Sequence, residues 1–167
     1  MTSTLSIAAT VAQSRALDLT TTSDPLAVRK AVSLTDGTAA GQANKVFHDR
    51  RTLAASATED LDLAGVLLDA FGAAITFARV KGLYISADAA NVNNVVVGAA
   101  ASNTWATLLN ATGTLTLRPG AGFMAMAGGL DATAYAVTAG TGDLLKVANS
   151  GAGTPVTYDI VIVGASA

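Results

Sequence analysis

Apolar residues return at every second position in short stretches along this chain, and glycine or asparagine interrupts each stretch within a few residues. That period points successive side chains to opposite faces of a strand, and so favours half-buried β-strands over amphipathic helices. In Leu26-Ala-Val28-Arg-Lys30-Ala-Val32-Ser-Leu34 the even positions are apolar except Lys30. In Glu59-Asp60-Leu61-Asp62-Leu63 the two Leu face one way and Asp60 and Asp62 the other. Val156-Thr-Tyr158-Asp-Ile160-Val-Ile162 places Val, Tyr and Ile on one face and predicts a strong final strand. Val95–Val97 reads as a short buried strand, and Leu115–Leu117 as a strand entering a turn at Pro119-Gly120. Parity breaks at Gly82 in Phe77–Ile85, which predicts a β-bulge there.

The punctuation is Asp36-Gly37, Asn91 to Asn94, Gly128-Gly129, Gly140-Thr-Gly142-Asp143 and Ser150 to Gly153. Strands separated by such turns predict an all-β fold, an antiparallel sandwich or jelly-roll-like domain. Helix has weak support. Val66–Ala74 has room for a turn or two, but Gly65 and Gly72 oppose a long helix.

Two regions differ in texture. Residues 1–64 hold 6 of the 10 basic and 7 of the 12 acidic residues but only one aromatic, Phe47. Residues 65–167 hold the other three Phe, all three Tyr and the only Trp. The core is therefore expected mainly in the C-terminal part. The division predicted is an extended N-terminal arm with early strands over 1–40 and a β-sandwich domain over 41–167. The arm is expected to gain order on assembly, and the strands that follow it to join the core near Leu61.

Only 13% of the residues are charged, against about 25% in an ordinary soluble domain. A surface this poor in charge suits contact with other protein and predicts a homo-oligomer. Net charge is −2 with no basic stripe, so nucleic acid is not an expected direct partner. The longest apolar run, Val66 to Val80, contains Asp69 and Arg79 and is too short for a bilayer span, so no membrane role is expected. Met1–Ile7 lacks the basic run of a secretory signal, and the chain reads as a soluble protein made and used in a cytoplasm. With no cysteine, disulfides and thiolate metal sites are excluded.

Candidate chemistry is sparse. His48, the only histidine, lies in Phe47-His48-Asp49-Arg50-Arg51, but a strand places Asp49 on the opposite face from His48 and Arg50. Glu59, Asp60 and Asp62 lack the ligand spacing of a calcium loop. Gly140-Thr-Gly142 lacks the third glycine and the helix of a dinucleotide site and reads as a hairpin turn. Ser150 is not in a nucleophile elbow, and Asn110-Ala111-Thr112 has no secretory context. Trp105 and Tyr84 suit either a receptor contact or a seal at one end of the sandwich. Arg79 and Lys81 suit either a solvated face or ion pairs with a neighbouring chain. No catalytic, cofactor-binding or metal-binding residue is assigned, no cofactor is expected, and the chain is read as non-enzymatic.

Three segments carry a family resemblance: Gly41 through Gly65, Phe77 through Ile85, and Asp131–Tyr135 through Gly140–Asn149 to Tyr158–Gly164. Together they resemble small virion structural proteins of tailed bacteriophages, over roughly residues 40–167 and leaving 1–40 outside. The resemblance implies a capsid decoration or cement protein of the phage head. Such a protein binds the major capsid protein, commonly as a homotrimer, and stabilises the assembled shell. It carries no catalytic motif. The alternative within the same class is a tail- or fibre-associated protein contacting a host receptor.

Overall fold

The structure, a computed structural model, describes all residues 1–167. It is all-β and antiparallel. The strands are β1 (Ser3–Ala16), β2 (Thr21–Leu34), β3 (Lys45–Leu53), β4 (Thr58–Asp62), β5 (Arg79–Ala87), β6 (Val95–Gly98), β7 (Thr114–Leu117), β8 (Gly122–Met126), β9 (Tyr135–Ala136), β10 (Leu144–Asn149) and β11 (Val156–Ala165). One short helix, α1 (Ala106–Leu109), sits between β6 and β7. The stretch Val66–Ala74 forms no helix; it is a loop pinched by a bridge between Leu68 and Ala74.

Two sheets make the body, in the orders β3-β11-β5-β8 and β4-β10-β6-β7, with β9 added to the start of β5. Setting the β1–β2 hairpin and β9 aside, eight strands remain. The first pairs with the last, the second with the seventh, the third with the sixth and the fourth with the fifth. The chain is thus one long antiparallel ribbon folded over on itself.

Alternation decides which side chains meet. Phe47, Leu83, Ile85, Tyr158, Ile160 and Ile162 from one sheet, and Leu61, Val95, Val97, Leu117, Leu145 and Val147 from the other, belong to a single buried cluster. Fully burying an aliphatic or aromatic side chain is worth about 1.5–3 kcal/mol, so this inner layer carries most of the stability. The core begins with Phe47 and Leu53 on β3, earlier in the chain than the expected entry near Leu61.

The parity break at Gly82 is a β-bulge. Val163 pairs with Gly82 and Gly164 with Val80, which leaves Lys81 as the extra residue on β5. The bare backbone at Gly82 makes room on the outer face of the sheet for Leu5 of β1. There Val32, Leu34, Ala43 and Val163 form a second small core, flanked by Leu5, Val46, Met126 and Val161.

Residues 1–34 are a regular hairpin rather than an arm of separate strands. The register runs from Ser3 opposite Leu34 to Ala16 opposite Thr21, and Asp18 and Leu19 make the turn. The partner that orders each strand is its neighbour in sequence. Only the base of the hairpin touches the body, and every residue from Ser6 to Ala31 is exposed.

Gly164 lies where β11 crosses the end of β5, and a side chain there would run into the Arg79 carbonyl oxygen and the Phe77 ring. Backbone cannot yield as a flexible side chain can. Gly164→Ala is therefore expected to destabilise the fold by about 1–3 kcal/mol, the usual cost of overpacking. Gly82→Ala meets only the tip of Leu5 and should cost less. Urea denaturation of the two variants checks the order.

Candidate functional interface

The free hairpin has two unlike faces. In an antiparallel ribbon paired residues share a side, so Leu5, Ile7, Ala9 and Val11 of β1 lie with Val32, Lys30, Val28 and Leu26 of β2, an apolar stripe broken only by Lys30. At the base, Leu5, Val32 and Leu34 of this face pack against the body. Beyond it the same face continues uncovered: Ile7 is 44% exposed, and Val11, Leu26 and Val28 are each more than half exposed. The opposite face holds small or polar residues, with Ser6, Ala8, Thr10 and Ala12 on β1. Leu19 stands fully in solvent at the turn. An isolated two-stranded ribbon is only marginally stable in water. The ribbon is roughly 45 Å long at about 3.3 Å per residue, and its open apolar stripe ends at Val11 and Leu26, beyond which the same face carries Gln13, Asp24, Arg15 and Thr22.

The body places the remaining candidates. His48 lies on the outer sheet face opposite Val161, and its ring makes no hydrogen bond. Arg50, on the same face, is held by Asp159 of β11 through two hydrogen bonds of 2.6 and 2.8 Å. This contact pushes the guanidinium up and the Asp159 carboxyl down from their ordinary values. Asp49 turns the other way and accepts from Arg51 at 2.9 Å.

Arg51 belongs to an inward network that sequence reading did not find. Glu59 Oε2 accepts from Arg51 Nε at 2.8 Å and Nη2 at 2.5 Å, and Glu59 Oε1 accepts the Tyr158 hydroxyl proton at 2.6 Å. Arg51 is on β3, Glu59 on β4 and Tyr158 on β11, so one carboxylate ties the two sheets together at their open edge. Burial, reinforced by the Glu59 charge, pushes the Tyr158 hydroxyl far above its ordinary range. The available signal was parity: Glu59 shares the side of Leu61 and Leu63.

Beside this network a cleft of about 460 Å³ opens between β3 and β4, lined by Phe47, Asp49, Leu61, Asp62, Leu67 and Asp69 among others. Three of its four carboxylates are engaged, while that of Asp60, also on its wall, is exposed and makes no hydrogen bond. Asp62 accepts from the Ala64 amide, Asp69 from the Phe71 and Ala73 amides, and Asp49 from Arg51. No three His, Asp or Glu side chains converge into a group that could hold a metal ion.

Trp105 seals one end of the sandwich. It is buried, its ring nitrogen donates to Ala136 O at 2.9 Å, and it meets the Tyr135 ring edge-on. It is not available to a receptor; Tyr84 remains partly exposed on the outer face. Lys81 is buried and so not on a solvated face, while Arg79 is half-buried. Arg79 donates to Ala132 O, and the buried Lys81 ammonium donates to Asp131 O at 2.8 Å, which clamps the loop after β8. Burial lowers the Lys81 pKa. Gly140-Thr-Gly142-Asp143 is a tight turn, with Gly140 at φ +75° and its amide donating to Asp143 Oδ2. Ser150 accepts from the Asn94 amide, and Asn110 accepts from the Thr112 and Gly113 amides. No helix is long and apolar enough to cross a membrane. Comparison with protein-family models, with curated proteins and with solved structures returns no match.

Tyr158→Phe is expected to cost about 1.5–3 kcal/mol at neutral pH, the usual worth of a hydrogen bond to a charged group. Glu59→Ala should cost more, because it strands both the buried hydroxyl and the Arg51 charge. Tyr158 also sets a pH dependence. Its folded pKa lies above its ordinary value of 10.0, so the folded state holds the proton more tightly. That contribution is complete below about pH 10 and is lost as the pH rises further. Lys81, whose folded pKa is lowered, contributes in the opposite direction, and comparison with the Phe variant cancels it. The stability gap between wild type and Tyr158→Phe should therefore hold constant up to about pH 10 and shrink steadily as the pH is raised above it, as read from denaturation midpoints.

Proposed function

We propose that this chain is a structural protein of a tailed bacteriophage particle, most specifically a decoration protein that binds the major capsid protein and stabilises the assembled head. The observation that carries the reading is the free hairpin with its uncovered apolar stripe: a clip that projects from a closed body. Three further features support it. The body's pairing of first strand with last, second with seventh and third with sixth is the strand order of a jelly roll, an architecture shared by viral capsid domains and many unrelated proteins. Charge is scarce, as suits a surface spent on protein contacts. Residues 40–167 resemble small phage virion proteins. In this reading the protein is a homotrimer on the virion, assembled in the host cytoplasm, and acts without catalysis.

The mechanism is mass action. A protein that binds only the assembled shell stabilises it by about 2.7 kcal/mol per site when its free concentration is 100-fold above the dissociation constant. The hairpin supplies the grip: its apolar stripe lies on the shell and its base stays locked to the body through Leu5, Val32 and Leu34.

The test is binding to empty expanded capsids by sedimentation. Val11→Asp and Val28→Asp sit on the exposed stripe, so the variants should fold normally, with stability changed by no more than about 0.5 kcal/mol. Both should lose most of their capsid binding. Undiminished binding by the folded double variant rejects the clip, and binding to host cells but not to capsids moves the protein to the tail.

A further inference from the structure

The two outer edges of the hairpin differ. The Leu17 amide donates to Thr20 O at 2.7 Å, which makes Leu17 and Thr20 a hydrogen-bonded pair. Bonded and non-bonded pairs alternate along an antiparallel ladder. With the observed register, odd residues of β1 bond across to β2, and even residues turn their N–H and C=O groups outward. On β2 the outward positions are the odd ones, and Pro25 is among them.

An open strand edge is a template for another strand, and proteins blunt such edges with proline and charge. The β2 edge is blunted. Pro25 removes one outward donor, Arg29 stands at another outward position, and Asp24 and Lys30 flank them. The β1 edge has no such guard. From Ser3 to Ser14 it contains no charged residue and no proline, and its outward positions are small: Ser, Ala and Thr.

We infer that β1 pairs edge to edge, antiparallel, with β1 of a second copy of this chain. The occupant follows from charge and symmetry. Along β1 the outward positions of both copies are small and uncharged, so the edge fits itself in antiparallel order, whereas the β2 edge lacks the Pro25 donor and carries the charged Arg29. A two-fold axis at Ala9 sets Ile7 of each copy opposite Val11 of the other, and Ala8 opposite Thr10. The outward amides and carbonyls of the even residues then bond to each other, and the odd residues stay on one side. The product is a four-stranded sheet, β2-β1-β1-β2, whose apolar stripes merge into one surface. The pairing is independent of the shell the protein decorates, because it involves this chain alone.

The chain has no cysteine, so single cysteines report the contact cleanly. Opposed residues in a non-hydrogen-bonded pair lie about 4.5 Å apart at Cα, close enough for a disulfide. Full-length Ala9→Cys, oxidised and run on a non-reducing gel, should form a covalent dimer on the order of tenfold or more faster than Ala27→Cys, a similarly exposed site on the guarded strand. Thr10→Lys in the Ala9→Cys background leaves the β1–β2 bonds intact but charges the open edge, and should slow the reaction to the Ala27→Cys rate. Equal rates for the two cysteines, or no effect of Thr10→Lys, would overturn the pairing. An edge reserved for a strand of another protein gives that same negative result. None of these readings uses capsids, so failure here leaves the capsid test untouched.

Discussion

Every part of this molecule leans on β11. It pairs on one side with β3 and on the other with β5, over nine and eight residues. Its side chains serve two layers at once. Tyr158, Ile160 and Ile162 point into the sandwich, while Val161 and Val163 point out and support the base of the hairpin. A one-residue slip would exchange the two sets and ruin both layers. The bulge at Lys81 and the bare Gly164 are where this register is closed off: one absorbs the extra residue, the other lets β11 cross β5 at close range.

The two sheets are fixed to each other by two different means. Along the middle the inner faces interdigitate with aliphatic and aromatic side chains, which is strong but not directional. At the open edge, where water reaches the cleft, the Glu59 carboxylate receives Arg51 and Tyr158 from the facing sheet. Half-buried charge at that place adds direction to the packing, since each donor has one geometry that satisfies it.

Strands were legible where alternation was written plainly: β4, β6, β7 and β11 of the body, and β2 of the hairpin from Leu26 on, stand where the period-two pattern puts them. The bulge near Gly82 was legible from one break in parity. What was not legible is where period two is blurred. Along β1 the large apolar residues are only Leu5, Ile7 and Val11, and Ala stands on both faces, so the alternation is brief. The hairpin turn uses Asp18-Leu19 with no glycine to announce it. Arg79 and Lys81 looked like surface residues because composition does not reveal that a loop folds back over them, and Glu59 looked like one more acid on a wet face. The loop-closing bonds of Asp62 and Asp69 and the pairing of Asp49 with Arg51 at the edge cleft carry no period-two signature and were not legible either.

Pro25 has a meaning beyond its own strand. A ribbon with two open edges behaves as a bifunctional monomer: each addition leaves a fresh end, and growth runs on into fibres. A ribbon blocked on one side is monofunctional, like a chain terminator. When two such ribbons join, both reactive ends are consumed, and the outer rims of the product are the ones that proline and charge have made inert. One imino acid placed where its missing hydrogen bond faces solvent thus leaves each hairpin a single open edge, and any strand-to-strand growth through these hairpins would stop at a pair of hairpins, however many bodies they join.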